Sequence, residues 1–117
     1  MKKIYYLTTC DTCKRIMKDI DLPQSFQKQD IKSEPLTVKQ LDELHDLAGS
    51  YEALFSKRAK LYKERNLKDE TLSEKDFKSL LLEHYTFLKR PVIINASEIF
   101  IGNSKKTVEA AKNSIHS

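Results

Sequence analysis

Two cysteines, two glycines and three prolines among 117 residues give this chain little with which to staple or divide itself. A secreted domain stabilised by disulfides usually carries four or more cysteines, and 117 residues bury enough surface to form a core without them. Structural stitching is therefore not the expected role of Cys10 and Cys13. With so few backbone breakers there is no linker, internal repeat or low-complexity tract, and one domain over residues 1–117 is expected. No apolar run approaches the roughly 18 to 20 residues of a membrane span, so a transmembrane helix is excluded. After Met1-Lys2-Lys3 the apolar stretch Ile4-Tyr5-Tyr6-Leu7 stops at Thr8, too short for a signal-peptide core, and the expected location is the cytoplasm. Arginine is scarce as well. The net charge of +4 comes almost wholly from 17 lysines against four arginines, and lysines spread along a chain form a solvated surface rather than a phosphate-reading patch, so direct nucleic-acid binding is not expected. No exposed apolar stripe stands out, which leaves a monomer as the expected state.

What is present reads as alternating elements. Lys3 to Thr8 is β-rich and mostly apolar, as in a central strand buried on both faces. Cys13, Ile16, Met17 and Ile20 then follow helical spacing up to Pro23, and Ser25 to Gln29 is placed as an edge strand. Thr37-Val38-Lys39-Gln40 has the form of a capping box opening a helix with Leu41, Leu44, Leu47 and Ala48 on one face, closed by Gly49. Short helical segments are expected around Tyr51 to Phe55 and Arg58 to Arg65, and a longer one from a Ser73 cap through Phe77, Leu80, Leu81 and Tyr85. Past Arg90-Pro91, the β-branched Val92-Ile93-Ile94, the turn Asn95-Ala96-Ser97 and the strand Ile99-Phe100-Ile101 predict a hairpin. A closing helix carries Val108, Ala111 and Ile115. A βαβ unit followed by a hairpin and helix is the plan of a thioredoxin-like α/β fold: a four-stranded mixed sheet with flanking helices, and a helical insertion at about 37–86 between the βαβ and ββα halves.

Chemistry points to the first strand-to-helix junction, Thr8-Thr9-Cys10-Asp11-Thr12-Cys13-Lys14. Cys10 falls in the turn, where unpaired N–H groups and the helix dipole favour its thiolate, making it the expected nucleophile. Cys13, three residues later, is within reach of a disulfide with Cys10 and can resolve an intermediate formed there. It also begins the buried stripe of the helix, and an inert place in the core is the competing reading. His45, His84 and His116 stand apart with no pair at ligand spacing, so no metal site is expected.

Cys10-Asp11-Thr12-Cys13, then Leu54-Phe55-Ser56-Lys57-Arg58 with Tyr62-Lys63, then Leu88-Lys89-Arg90-Pro91-Val92-Ile93 with Gly102, span most of the chain. In order and spacing they resemble the arsenate reductase and Spx family. The resemblance implies a bacterial protein of thioredoxin-like fold. It implies a reductase whose Cys10 forms a covalent adduct with a small oxyanion or disulfide substrate, with Arg58 and Arg90 holding the oxyanion. No cofactor is bound on this reading; glutathione with glutaredoxin, or thioredoxin, supplies electrons. Guanidinium groups suit a tetrahedral oxyanion and stay charged, which fits Arg at two motif positions in a lysine-rich chain. The fold also implies a cis bond at Arg90-Pro91, with Pro91 beside the nucleophile. Two departures matter. The reductases place a further arginine after the last strand, where this chain has Gly102-Asn103-Ser104-Lys105-Lys106, and the pair Cys10/Cys13 is the pattern of the Spx regulators. The resemblance therefore also implies an alternative: a redox-switched regulator that docks on the C-terminal domain of the RNA polymerase alpha subunit.

Overall fold

In the computed structural model, which describes residues 1–117, the chain forms two compact units. One comprises Met1–Glu34 and Arg90–Ser117, the other Pro35–Lys89, so the inserted segment begins and ends a few residues outside the span 37–86 read from the sequence.

The first unit is built on β1 (Lys2–Tyr6), α1 (Asp11–Asp19), β2 (Gln27–Asp30), β3 (Val92–Asn95), β4 (Glu98–Ile101) and a closing helix at Lys105–Ile115. Its sheet has the order β2-β1-β3-β4, with β1 parallel to β2 and antiparallel to β3, and β3 antiparallel to β4. This is the expected mixed four-stranded sheet. Neighbouring residues of a strand face opposite sides, and both Ile4 and Tyr5 are buried, so β1 is covered on both faces as its apolar run predicts. On one face Ile4 and Ile93 pack with Ile16, Ile20, Phe26 and Ala111, and Met17, Phe100, Val108 and Ile115 seal the edges. The register aligns Tyr5 with Val92 and Val92 with Ile101, so the exit from β1, the entry to β3 and the exit from β4 meet at one end of the sheet.

Several boundaries differ from the sequence reading, and β1 spans Lys2–Tyr6 rather than Lys3 to Thr8. The first helix stops at Asp19, with Ile20 as its cap and Asp21 at φ 49°, so a left-handed residue ends it before Pro23 is reached. The edge strand lies at Gln27–Asp30 rather than Ser25–Gln29, because its partner is set by the backbone of β1 and not by its own polar side chains. The hairpin forms as expected, turning through Ala96 at φ 58°.

The second unit contains α2 (Val38–Ala48), α3 (Lys60–Glu64), α4 (Glu74–Glu83) and short 3-10 turns at Glu52–Leu54, Leu67–Asp69 and Tyr85–Phe87. The closing helix of the first unit is α5. The box at Thr37 is complete: Thr37 Oγ1 accepts from the Gln40 N–H at 3.1 Å, and Gln40 Oε1 accepts from the Thr37 N–H at 3.2 Å. Ser73 and Asp76 form a second box. The long helix ends at Glu83 and not at Tyr85, because His84 takes an extended conformation and its Nδ1 accepts from the Thr86 N–H at 3.2 Å. Phe55 centres this unit, with ring centroids 4.9 Å from Phe77, 5.2 Å from Phe87 and 5.9 Å from Tyr62.

Candidate functional site

The site sits where β1 hands over to α1. The Cys10 N–H donates to the Leu7 carbonyl at 3.1 Å, closing a turn over Thr8 and Thr9, and Cys10 then caps α1 in an extended conformation (φ −95°, ψ 110°). Its sulfur makes no formed capping bond, so the N–H groups that begin the helix act on it as oriented dipoles. Partial burial tends to raise the Cys10 pKa. The Cys13 backbone and thiol, the Arg90 guanidinium and the Thr12 backbone outweigh it and hold Cys10 below its ordinary 9.0.

Cys13 is fully buried on the inner face of α1, and burial first of all, then its hydrogen bond and charge contact with Cys10, push it up to about 11. A backbone bond from Leu7 and the Arg90 charge offset this only in part. Both cysteines are free thiols. Each reading of Cys13 describes part of its position: it belongs to the buried stripe, and its thiol faces Cys10. One sulfur of the pair is held low and the other high.

Arg90 is half-buried at the return of the chain into this unit. Its Nε and Nη1 are buried with no hydrogen-bond partner. A buried donor left bare costs about 1–3 kcal/mol, more when charged, and an arrangement that keeps two of them beside a thiol is suited to an anionic ligand. The Arg90–Pro91 bond is cis, as expected. The Pro91 carbonyl accepts from the Gly102 N–H at 2.9 Å, tying the segment before β3 to the one after β4. Gly102 has φ 92°, a conformation open to glycine. Beyond it Asn103, Lys105 and Lys106 are exposed and Ser104 caps α5, so no second buried cation comes from this segment.

Cys10, Cys13, Arg90 and Pro91 thus belong to one unit. Arg58 belongs to the other, on an exposed stretch between buried Phe55 and buried Ala59; its backbone N–H contacts Ser56 Oγ at 3.4 Å and its guanidinium enters no ion pair. No cluster of three or more His, Cys, Asp or Glu side chains is arranged to hold a metal, and no helix is long and apolar enough to cross a membrane.

One pair escaped the sequence reading. Thr8 Oγ1 donates to Asp30 Oδ2 at 2.5 Å, and Asp30 Oδ1 accepts from the Lys32 N–H at 2.9 Å. The Thr8 hydroxyl, followed by the Lys32 N–H, holds the Asp30 carboxyl below its ordinary value. A lone Asp at the end of a polar edge strand is a weak signal, and only the parallel register Tyr6↔Asp30 brings it to the Cys10 turn.

Comparison with known proteins agrees with this architecture. The sequence is similar to the global transcriptional regulator Spx of Bacillus subtilis (strain 168), 23% identical over 112 residues that cover 92% of this chain and 84% of the relative. It is similar to Spx 2 of Bacillus anthracis, 28% identical over 105 residues covering 87% and 79%. Its fold is that of an arsenate reductase from Vibrio cholerae, with a TM-score of 0.77 at 21% identity over 93% of this chain and 95% of the other. Regulators thus stand among its sequence relatives and reductases among its structural neighbours. The ArsC family model matches residues 5–111, from β1 into α5, and the chain belongs to the ArsC family.

Proposed function

We propose that this protein is a thiol-dependent oxidoreductase acting on a small oxyanion or a disulfide, with Cys10 as nucleophile and Cys13 as resolving thiol. The observation that carries the reading is the pair of bare, buried guanidinium nitrogens of Arg90 in charge contact with both cysteines. Arg90 steadies the Cys10 thiolate and offers donors to the charge of the substrate. With an arsenate-like substrate, the thiolate forms a bond to the oxidised centre and hydroxide leaves as water. A second thiol, Cys13 or glutathione, then loses its proton and attacks the Cys10 sulfur. The electron pair of the bond to the substrate stays with the substrate, which departs reduced by two electrons while Cys10 enters a disulfide. With a disulfide substrate the first step expels a thiolate, and Cys13 expels the second. In either case glutathione with glutaredoxin, or thioredoxin, returns two electrons. Arg58 is assigned to the oxyanion on the family pattern alone.

A second reading rests on the regulators among the relatives and on the cysteine pair they share in the resemblance above: oxidation to a Cys10–Cys13 disulfide switches binding to the C-terminal domain of the RNA polymerase alpha subunit. Arsenate-dependent NADPH oxidation through glutathione and glutaredoxin, run on wild type, Cys10→Ser and Cys13→Ser, tests the first reading. Turnover falls by about a thousandfold or more in Cys10→Ser. Loss in Cys13→Ser as well makes Cys13 the resolver, and loss in Cys10→Ser alone leaves it in the core. A wild type inactive toward arsenate and toward oxidised glutathione, yet able to form the disulfide and to capture that polymerase domain in one redox state, overturns the enzyme in favour of the regulator.

A further inference from the structure

We propose that Asp30, through Thr8, is a positioning residue for the Cys10 sulfur. This rests on the reading of Cys10 as the attacking thiol. The turn that presents Cys10 runs Leu7-Thr8-Thr9-Cys10 and is closed by one backbone bond, Cys10 N–H to the Leu7 carbonyl. Thr8 is the first residue inside that turn, and its side chain is anchored outside it, on the last residue of β2.

The anchor is itself fixed. The Asp30 carboxylate accepts from the Thr8 hydroxyl on one oxygen and the Lys32 N–H on the other. The Asp30 carbonyl accepts from the Glu34 N–H at 2.8 Å and from Ser33 Oγ at 3.4 Å, and the Ile31 N–H donates to the Tyr6 carbonyl at 3.0 Å. A carboxylate that only accepts satisfies donors on both oxygens at once; an amide in its place turns an NH₂ group toward the Thr8 hydroxyl, which must then accept, and the bond to a charged acceptor is lost. Asp therefore holds Thr8 more tightly than Asn does.

Asp30 has two opposed ways of acting on the site. As a negative charge near the turn it disfavours a thiolate, but it is only half-buried and water screens part of its charge. As the anchor of Thr8 it holds the turn in which Cys10 meets the N–H groups at the start of α1, and this favours the thiolate. The hydrogen-bond geometry assigns the second effect as the larger, so removing the carboxylate makes Cys10 less reactive although it removes a like charge.

The test is the rate of Cys10 alkylation by iodoacetamide between pH 6 and 9 in wild type, Thr8→Val, Thr8→Ser and Asp30→Asn. Fragment-ion mapping separates Cys10 from Cys13, and melting curves are taken in parallel. At pH 7, Thr8→Val and Asp30→Asn slow alkylation of Cys10 by about three- to tenfold and move its titration to higher pH, while Thr8→Ser, which keeps the hydroxyl, stays within about twofold of wild type. Faster alkylation in Asp30→Asn with Thr8→Val unchanged means that Asp30 acts by charge alone and overturns the proposal. So do rates equal to wild type in every variant, or a Thr8→Ser variant as slow as Thr8→Val. Failure of the underlying reading looks different: Cys10 of the wild type is then alkylated no faster than Cys13.

Discussion

The two units treat their charges in opposite ways. In Pro35–Lys89 four cations are matched to carboxylates, while exposed Arg58 is not: Lys57 with Glu52 at 2.8 Å, Lys60 with Glu64 at 3.8 Å, Arg65 with Glu83 at 2.8 Å and Lys78 with Asp42 at 3.0 Å. Arg65 also lies over the Phe87 ring, and Lys78 over Tyr51, whose hydroxyl donates to Asp42 at 2.7 Å. In the sheet unit Arg90 is half-buried, with Nε and Nη1 out of water and left bare. A matched, half-exposed pair stabilises a fold a little and performs no chemistry. A buried, unmatched guanidinium costs the fold something and is tolerable where a ligand or thiolate completes it. Arg65 is scaffold in one unit, and Arg90 is candidate machinery in the other.

Replacing Arg90 is the most forceful way to break this contrast. Arg90→Ala is expected to lower turnover by about a hundredfold and to raise the pH at which Cys10 is alkylated, while the melting temperature stays level or rises because two buried donors without partners are gone. Arg90→Lys keeps the charge without the planar donor set and falls between. A large fall in melting temperature with turnover intact makes Arg90 a structural residue and removes the contrast.

The cysteine pair sharpens it through pH, and the two signs differ. The folded state lowers the Cys10 pKa, so Cys10 contributes stability that is complete above 9.0 and is lost as pH falls through its folded value. The folded state raises Cys13 to about 11, so its contribution is complete below 9.0 and lost as pH rises from 9 to 11, where the unfolded chain has released the proton that the folded chain still holds. Denaturant midpoints of the reduced protein are expected to fall across pH 9–11. The fall should be shallowest in Cys13→Ala and only partly reduced in Cys10→Ser, which keeps the burial of Cys13 but removes the hydrogen bond and charge of Cys10. An equal slope in all three proteins contradicts the division of roles.

The smallest effect belongs to the other unit. Arg65→Ala loses a half-exposed ion pair and a stacked contact, and urea unfolding should show a loss of about 0.5–1 kcal/mol. Cys10 alkylation and turnover should not change. A variant that slows Cys10 shows that the charges of the insertion are not scaffold alone.

Much of this was legible along the chain. The apolar run of β1, the Cys13–Ile20 stripe, the Thr37 and Ser73 caps and the Val92–Ile101 hairpin are local signals, each fixed by the spacing of neighbouring side chains and by backbone sterics, and each appears where its pattern places it. The junction at Cys10 and Cys13 is equally local, since a turn running into a helix needs only a few residues to define it. Only the folded chain decided the rest. That Asp30 reaches Thr8, 22 positions away, follows from the parallel register of two strands, and no single-strand pattern encodes a register. That Arg90 is bare while Arg65 is paired depends on which residues from distant segments arrive beside each, and the two arginines are alike in sequence. The separation of the two cysteine pKa values is of the same kind. It arises from burial, and burial is a property of everything packed around a sulfur rather than of the two residues between Cys10 and Cys13.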